Sequence, residues 1–205
     1  MNAKDATLFQ LRSLFFLDEK EEILIPSNCF DEAEKETIKS IKPFNEKHFN
    51  GIVNPMISMV YCQYLYRLSR ILSAQGCKEV ADKVFYLNKT LNACDLFYEI
   101  DLPEHWCCAH PIGSVMGRAF YGDFFYFHQG CTIGQNRGGD YPIVGDNVIM
   151  FANATVLGNS VIGNNVIIAA NALVIDEEIP DNSVVFGVSP NLIIKEKRND
   201  EMYLV

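Results

Sequence analysis

Residues 144 to 174 read VGDNVIMFANATVLGNSVIGNNVIIAANALV, and the chain repeats itself there in steps of six. Val144, Met150, Val156, Ile162, Ile168 and Val174 are all aliphatic or methionine. Four positions after each step stand Val148, Ala154, Ser160, Val166 and Ala172, which are small or β-branched. Between them lie Gly145-Asp146-Asn147, Gly158-Asn159, Gly163-Asn164-Asn165 and Ala169-Ala170-Asn171, residue types that turn a chain at low conformational cost. A period of six is neither helical nor a simple strand alternation. It fits short strands and tight turns wound around a prism, with one large side chain per face pointing inward and a small one near each corner. The pattern predicts a parallel β-helix.

The steps continue upstream through Val115, Tyr121, Phe127 and Ile133. From Ile133 to Val144 the spacing is longer by about five residues. The excess falls on Gln135-Asn136-Arg137-Gly138-Gly139-Asp140-Tyr141-Pro142, polar and rich in turn formers. It should protrude as a loop, and loops carried on a rigid scaffold are where chemistry is commonly placed. Downstream, Asp176 to Pro180 is expected to break the repeat before a last strand at Ser183–Val188 and a tail from Leu192 to Lys197.

Ahead of the repeats the spacing is helical. Leu8, Leu11, Leu14 and Phe15 predict a helix within residues 4–24, and Ser27 or Asp31 would cap a second one running to Ile41. Pro43 ends it and Asn45 to Asn54 reads as loop. Ile57 to Leu72 forms an amphipathic helix with Arg67 and Arg70 off its apolar face, stopped at Gly76. Another runs from Lys78 to about Ala93. Composition changes near Asp101-Leu102-Pro103, where aromatics and glycines replace the helical pattern. These features give an α+β chain: a helical domain over 1–98, then a β-helix domain with its tail over 99–205.

The 205 residues carry 17 lysines and arginines against 26 acids, a net charge of −9, which argues against nucleic acid or an anionic membrane as main partner. No apolar run is long enough to span a membrane. Seven cysteines without CxxC spacing read as reduced thiols of a cytoplasmic protein.

Several segments together resemble a known family. They are Glu99-Ile100-Asp101-Leu102-Pro103, Ala109-His110-Pro111-Ile112-Gly113-Ser114-Val115-Met116-Gly117, Gln129-Gly130-Cys131-Thr132-Ile133-Gly134, the Gly138-Gly139-Asp140 loop and Val185-Phe186-Gly187-Val188. The chain is similar to the serine acetyltransferase branch of the hexapeptide-repeat acyltransferases over residues 60 to 195. The resemblance implies a left-handed β-helix, a homotrimer with sites between neighbouring subunits, and acetyl-CoA as donor. A larger assembly through the helical domain would be compatible with it. It also implies that His110 deprotonates the acceptor hydroxyl and that Asp101 orients it.

The chemistry asks for such groups independently. Moving an acetyl group from a thioester to a hydroxyl needs a base near neutral pH, and imidazole is the natural one. A carboxylate on the far ring nitrogen fixes the tautomer and stabilises the imidazolium. Turn N–H groups can meet the oxyanion. His128 lies 18 residues after His110, three hexapeptides, so the two rings are expected one above the other. His128 is then an acceptor contact, a packed neighbour or a competing base. His105, His110 and His128 could alternatively form a three-histidine zinc site of a metal-dependent hydrase; for the transferase no metal is expected.

The sequence also departs from the family pattern. The loop's arginine and histidine before the proline are absent, Tyr141 standing at the histidine place, and Ala109 replaces the aspartate before the catalytic histidine. A site lacking those charges suits a sugar or capsular polysaccharide precursor, gripped by hydrogen bonds and aromatic faces such as Tyr121, Tyr126 and Tyr141, better than serine. Arg137 could supply the missing charge and restore serine O-acetylation. Along the CoA groove the resemblance points to Gly134, to the small residues Ala152 and Ala170 beside the pantetheine arm, and to Lys195 at a phosphate. Phe151 and Asn153 replace the family's glycines there. A scaffold that kept the fold and lost the chemistry is the remaining alternative.

Overall fold

A computed structural model describes residues 2–44, 46–47 and 49–196; Asn45 and Lys197 lie outside the described residues. The chain divides into two compact units between Glu99 and Ile100.

The first unit is helical: α1 (Ala3–Phe15), α2 (Glu19–Ile23), α3 (Cys29–Ile41), α4 (Ser58–Ala74) and α5 (Lys78–Asn92). The helix expected within 4–24 is two helices, because Phe16 adopts a left-handed conformation (φ 53°) that ends α1. Asp18 then starts α2 with a capping box closed by Glu21. Neither Ser27 nor Asp31 caps α3; the cap position is Asn28, whose side chain makes no capping bond. Helix α4 is buried nearly around its circumference. Several of its polar groups are paired individually: Tyr61 with Thr7 at 2.8 Å and with Gln10 at 2.6 Å, and Ser40 with Gln63 at 3.3 Å. Asn88 donates to the Cys62 carbonyl at 2.9 Å. Arg67, expected on the outer face, is 8% exposed and reaches Glu36 at 3.4 Å. α5 stops where Ala93 turns left-handed (φ 48°), and Gly76 (φ 84°) makes the turn before it.

The second unit begins with β1 (Trp106–Cys108), β2 (Val115–Met116), β3 (Phe120–Tyr121), β4 (Phe125–Phe127) and β5 (Thr132–Gly134). There follow β6 (Ile143–Val144), β7 (Ile149–Met150), β8 (Thr155–Leu157), β9 (Val161–Ile162) and β10 (Ile167–Ile168). The last are β11 (Leu173–Ile175), β12 (Glu178–Ile179), β13 (Ser183–Phe186) and β14 (Ile193–Glu196). Every third strand pairs in parallel, giving sheets β1-β4-β7-β10-β13-β14, β2-β5-β8-β11 and β3-β6-β9-β12. These are the three faces of the prism. Inward columns are Met116–Ile133–Val156–Val174, Tyr121–Val144–Ile162–Ile179 and Phe127–Met150–Ile168–Val185. Most of these side chains are fully buried, each contributing roughly 1.5–3 kcal/mol by leaving water. The small residues Val148, Ala154, Ser160, Val166 and Ala172 are buried at the corners as their spacing predicts.

Two expectations need correction. Val115 is 40% exposed and Met116 takes the inward place. The cause is an irregular first coil: Cys108 pairs with Phe127, nineteen residues on, whereas Val115 pairs with Thr132, seventeen on. The turn at 109–114 therefore holds two residues more than its counterpart a coil below. Nor does the repeat break at Asp176–Pro180: β12 pairs with β9, and the coil is shortened by one residue (Val161 with Glu178). The 135–142 insertion is as expected, Ile133 pairing with Val156 twenty-three residues on. The prism ends in a hairpin, β14 returning antiparallel along β13.

Three edges join the faces. The third edge, from the β3 sheet to the β1 sheet, is the most regular. Asn147, Asn165 and Asn182 sit there at φ 55–57°, each side chain bonded to the next at 3.0 and 2.6 Å. Asparagine tolerates this left-handed region better than most residues. Beside them Asp146 accepts the Asp123 N–H, Asn164 that of Asp146, and Asp181 that of Asn164, at 2.6–2.9 Å. The glycines at this edge are there for contact: a Cβ on Gly145 would lie 2.8 Å from the Gly163 backbone.

Candidate active site

The first edge, between the β1 and β2 sheets, carries His110. Its turn is closed by Ser114 N–H to the Pro111 carbonyl (3.1 Å), with Gly113 at φ 75°. Pro111 restricts the backbone of His110 to extended conformations and is itself buried. The two added residues push the turn outward, leaving the His110 side chain exposed, without a hydrogen-bond partner among the described residues. Asp101 is exposed as well and makes no hydrogen bond to His110.

His128 does not stack on His110. Ala109 N–H bonds to Phe127 O and His128 N–H to Met150 O, so His128 lies level with Ala109, while Gly130 N–H to Ile112 O sets Gln129 level with Ile112. The lengthened turn is the reason. The His128 ring instead stacks on Phe151 (4.8 Å, 21°) and tilts against Tyr126 (5.5 Å). The two turns are nonetheless tied: Ser114 Oγ donates to His128 O (3.1 Å) and accepts the Cys131 N–H (3.2 Å), and Gly130 N–H donates to Ile112 O (2.9 Å). The Cys131 thiol, donating to the Phe151 carbonyl at 3.2 Å, is pushed up to about 11 by burial. It stays protonated and is no rival nucleophile.

Ala152 and Ala170 continue the same edge below Gln129, as the Asn153 N–H to Gln129 O and Asn171 N–H to Ala152 O bonds show. At one strand spacing per coil, Ala170 stands roughly 14 Å from the His110 level. Lys195 comes off β14 at the lower end, its ammonium 5.6 Å from the Phe186 ring. Thus His110, His128, Ala152 and Ala170 share one edge, and Lys195 lies on the adjoining β1 face, opposite Val184.

The 135–142 loop occupies the second edge, between the β2 and β3 sheets. Asn136 organises it: its Oδ1 accepts from Gly138 N (2.8 Å) and Asp140 N (3.2 Å), and its Nδ2 donates to Asp140 and Asp176, both at 3.3 Å. Arg137 is exposed, and Tyr141 is 42% exposed with its ring 5.7 Å from Phe120. Gly134 enters the loop from β5. Within one chain, therefore, Arg137 and Tyr141 are a face away from His110.

One pair of groups escaped the sequence reading. His105 Nδ1 lies 2.8 Å from Asp123 Oδ2, and the His105 N–H donates to Asp123 Oδ1 at 2.8 Å. Desolvation raises the Asp123 carboxyl, but the hydrogen bonds from the His105 ring and backbone outweigh it and hold the group below its usual value. The signal was present: the two are 18 residues apart, the nominal length of one coil. His105, His110 and His128 do not form the three-histidine site considered above. Among the described residues no three histidine, cysteine or carboxylate side chains are grouped to hold a metal.

Residues 141–176 match the family described as bacterial transferase hexapeptide (six repeats). A search of curated protein sequences finds no match. Solved structures do match. Serine acetyltransferase isoform 3 of Entamoeba histolytica, in complex with cysteine, superposes with TM-score 0.63 at 24% identity over 82% of this chain. The Neisseria gonorrhoeae serine acetyltransferase in complex with serine gives 0.65 at 24%, covering 82% of this chain and 70% of that one. Serine acetyltransferase of Brucella abortus in complex with coenzyme A gives 0.64 at 19%, over 83% and 69%. This chain has the serine acetyltransferase fold, N-terminal helices followed by a left-handed β-helix of hexapeptide repeats. It spans 62% of the length of the Entamoeba protein.

Proposed function

We propose that the protein is an acetyl-CoA-dependent O-acetyltransferase with His110 as general base. The observation that carries this reading is the first edge: an exposed histidine on a turn lengthened by two residues, above the small residues Ala152 and Ala170 of the same edge, with Lys195 on the adjoining face. Acetyl-CoA would lie along that edge, its pantetheine arm against Ala152 and Ala170, its phosphates toward Lys195 and its thioester at His110. The imidazole takes the acceptor hydroxyl proton as the oxygen attacks the thioester carbonyl. A turn N–H holds the oxyanion, and the CoA thiolate leaves with the proton returned from the imidazolium. Asp101 remains the carboxylate assigned to orient His110. His128, level with the neighbouring residue, is assigned to the acceptor.

The assembly follows from the same edges. The loop residues Gly134, Arg137 and Tyr141 sit across the β2 sheet from His110, so a site using both draws its loop from a second copy, as in a homotrimer. A cytoplasmic location fits seven free cysteines; among the described residues no helix is long and apolar enough to cross a membrane.

For the acceptor, serine is the first choice, because the similar Neisseria structure holds serine in an enzyme of the same fold. Arg137 would supply the charge that engages it. A sugar hydroxyl is the second reading, favoured by the Tyr141–Phe120 aromatic ledge at the loop. Loss of the acetyl-CoA thioester absorbance, followed with serine and with a panel of sugars, decides between them. Turnover on serine that vanishes in His110→Ala confirms the first reading, and turnover on a sugar alone confirms the second. Absence of both turnover and CoA binding leaves the scaffold alternative.

A further inference from the structure

The first rung of the third edge breaks the rule of the edge below it. Where later coils place Asn147, Asn165 and Asn182 in the left-handed region, this coil places Phe124 at φ 57°. Phenylalanine gains nothing from that conformation by itself, and such positions cost of order 1–3 kcal/mol. What it gains is contact: the Phe124 ring lies flat on the His105 imidazole, centroids 4.9 Å apart at 11°. His105 is thus fixed on its face by Phe124 and at Nδ1 by Asp123, which is itself held by the Asp146 carboxylate through its N–H.

Stacking occupies the face of an imidazole and leaves its in-plane nitrogen available. With Nδ1–H donated to Asp123, the lone pair of Nε2 points outward. The side chain is 20% exposed. Glu104 Oε1 stands 3.4 Å from Nε2, long for a hydrogen bond. It is, however, the separation of two ligands on one tetrahedral ion: bonds of 2.0–2.2 Å to nitrogen and oxygen put the ligand atoms about 3.3 Å apart. A histidine that donates its second nitrogen to a carboxylate is the usual outer-sphere arrangement of metal-bound imidazole.

We propose that His105 Nε2 and Glu104 form a surface site for a divalent first-row transition ion, with Asp123 as the outer-sphere carboxylate and water completing the coordination. Imidazole with carboxylate suits zinc among these ions. The site lies on a different edge from His110 and does not depend on the proposed transferase activity.

Calorimetric titration of the full chain with zinc chloride, in buffer free of thiols and chelators, tests it. One site per chain is expected, lost in His105→Ala and at least tenfold weaker in Glu104→Gln, a change at an exposed residue that leaves the fold intact by circular dichroism. Asp123→Asn should weaken binding 10–100-fold with both ligands retained. His110→Ala should leave the affinity unchanged. In nitrogen-15 imidazole spectra the His105 Nε2 resonance is the one that moves on adding zinc. Failure of the wild-type chain to bind zinc, or binding that survives both His105→Ala and Glu104→Gln, overturns the assignment.

Discussion

The helical unit and the β-helix bury their interiors by opposite means. Around α4 polar groups are paired one at a time: Tyr61 between Thr7 and Gln10, Gln63 against Ser40, Arg67 against Glu36. In the prism one solution recurs every coil, with the same inward column, the same asparagine and the same backbone acceptor. The comparison teaches where to look for chemistry. In a unit built of singular contacts a singular residue means little, whereas in a periodic one every departure from the period stands out. The lengthened turn at His110, the inserted loop around Asn136 and the Phe124 rung beside His105 are those departures.

The largest effect should come at such a departure. His110→Ala is expected to lower turnover 10²–10⁴-fold with the CoA dissociation constant unchanged, measured by steady-state kinetics and by calorimetry. A variant that merely weakened CoA binding would return His110 to the scaffold. Next come residues inside each pattern. Leu65→Ala in α4 and Ile168→Ala in the prism, both fully buried, should each cost about 2–5 kcal/mol in denaturant unfolding, with catalysis per folded molecule preserved.

The two strategies separate at the third level. Tyr61→Phe removes the hydroxyl between Thr7 and Gln10, Thr7 keeping its bond to the Ala3 carbonyl, and should cost about 0.5–1.5 kcal/mol. Asn165→Ala removes one rung of a ladder and puts alanine in the left-handed region, for roughly 1–2 kcal/mol. Asn147→Ala and Asn182→Ala, each losing one ladder bond where Asn165→Ala loses two, should cost less; equal or larger costs would mean the ladder is not the support described here.

The smallest effect is one of pH. Asp123 is held below its ordinary value in the fold, so its contribution is complete above the ordinary aspartate range and is lost as pH falls through the lowered value. Asp123→Asn should lower stability at neutral pH by that small contribution and flatten the acid limb, the two profiles converging at low pH.

These contrasts also explain what could be read without coordinates. Val144, Met150, Val156, Ile162, Ile168 and Val174 were legible as the interior because each coil from 144 on returns after nearly the same number of residues. Counting failed in the first coil, where the turn at 109–114 gains two residues: Val115 was placed inside in error, and His128 was set under His110 when it lies under Ala109. The same count, applied to His105 and Asp123, would have found a pair that does meet. The length of a turn is fixed by hydrogen bonds such as Ser114 to His128 O, and spacing alone does not carry it. Arg67 was misplaced for a different reason. A helical wheel assumes one wet side, and α4 has almost none.

The antiparallel return of β14 along β13 has a consequence for handling the protein. A coil of this kind presents the next coil with an open row of N–H and C=O groups, so an unfinished prism is a template for more strand. Ser183–Phe186 is covered by Ile193–Glu196 instead of by another chain, and Lys195 and Glu196 set charges on the outermost strand. A construction ending before Ile193 would uncover that row. The expected outcome is end-to-end association of prisms into filaments, visible in light scattering before any loss of secondary structure.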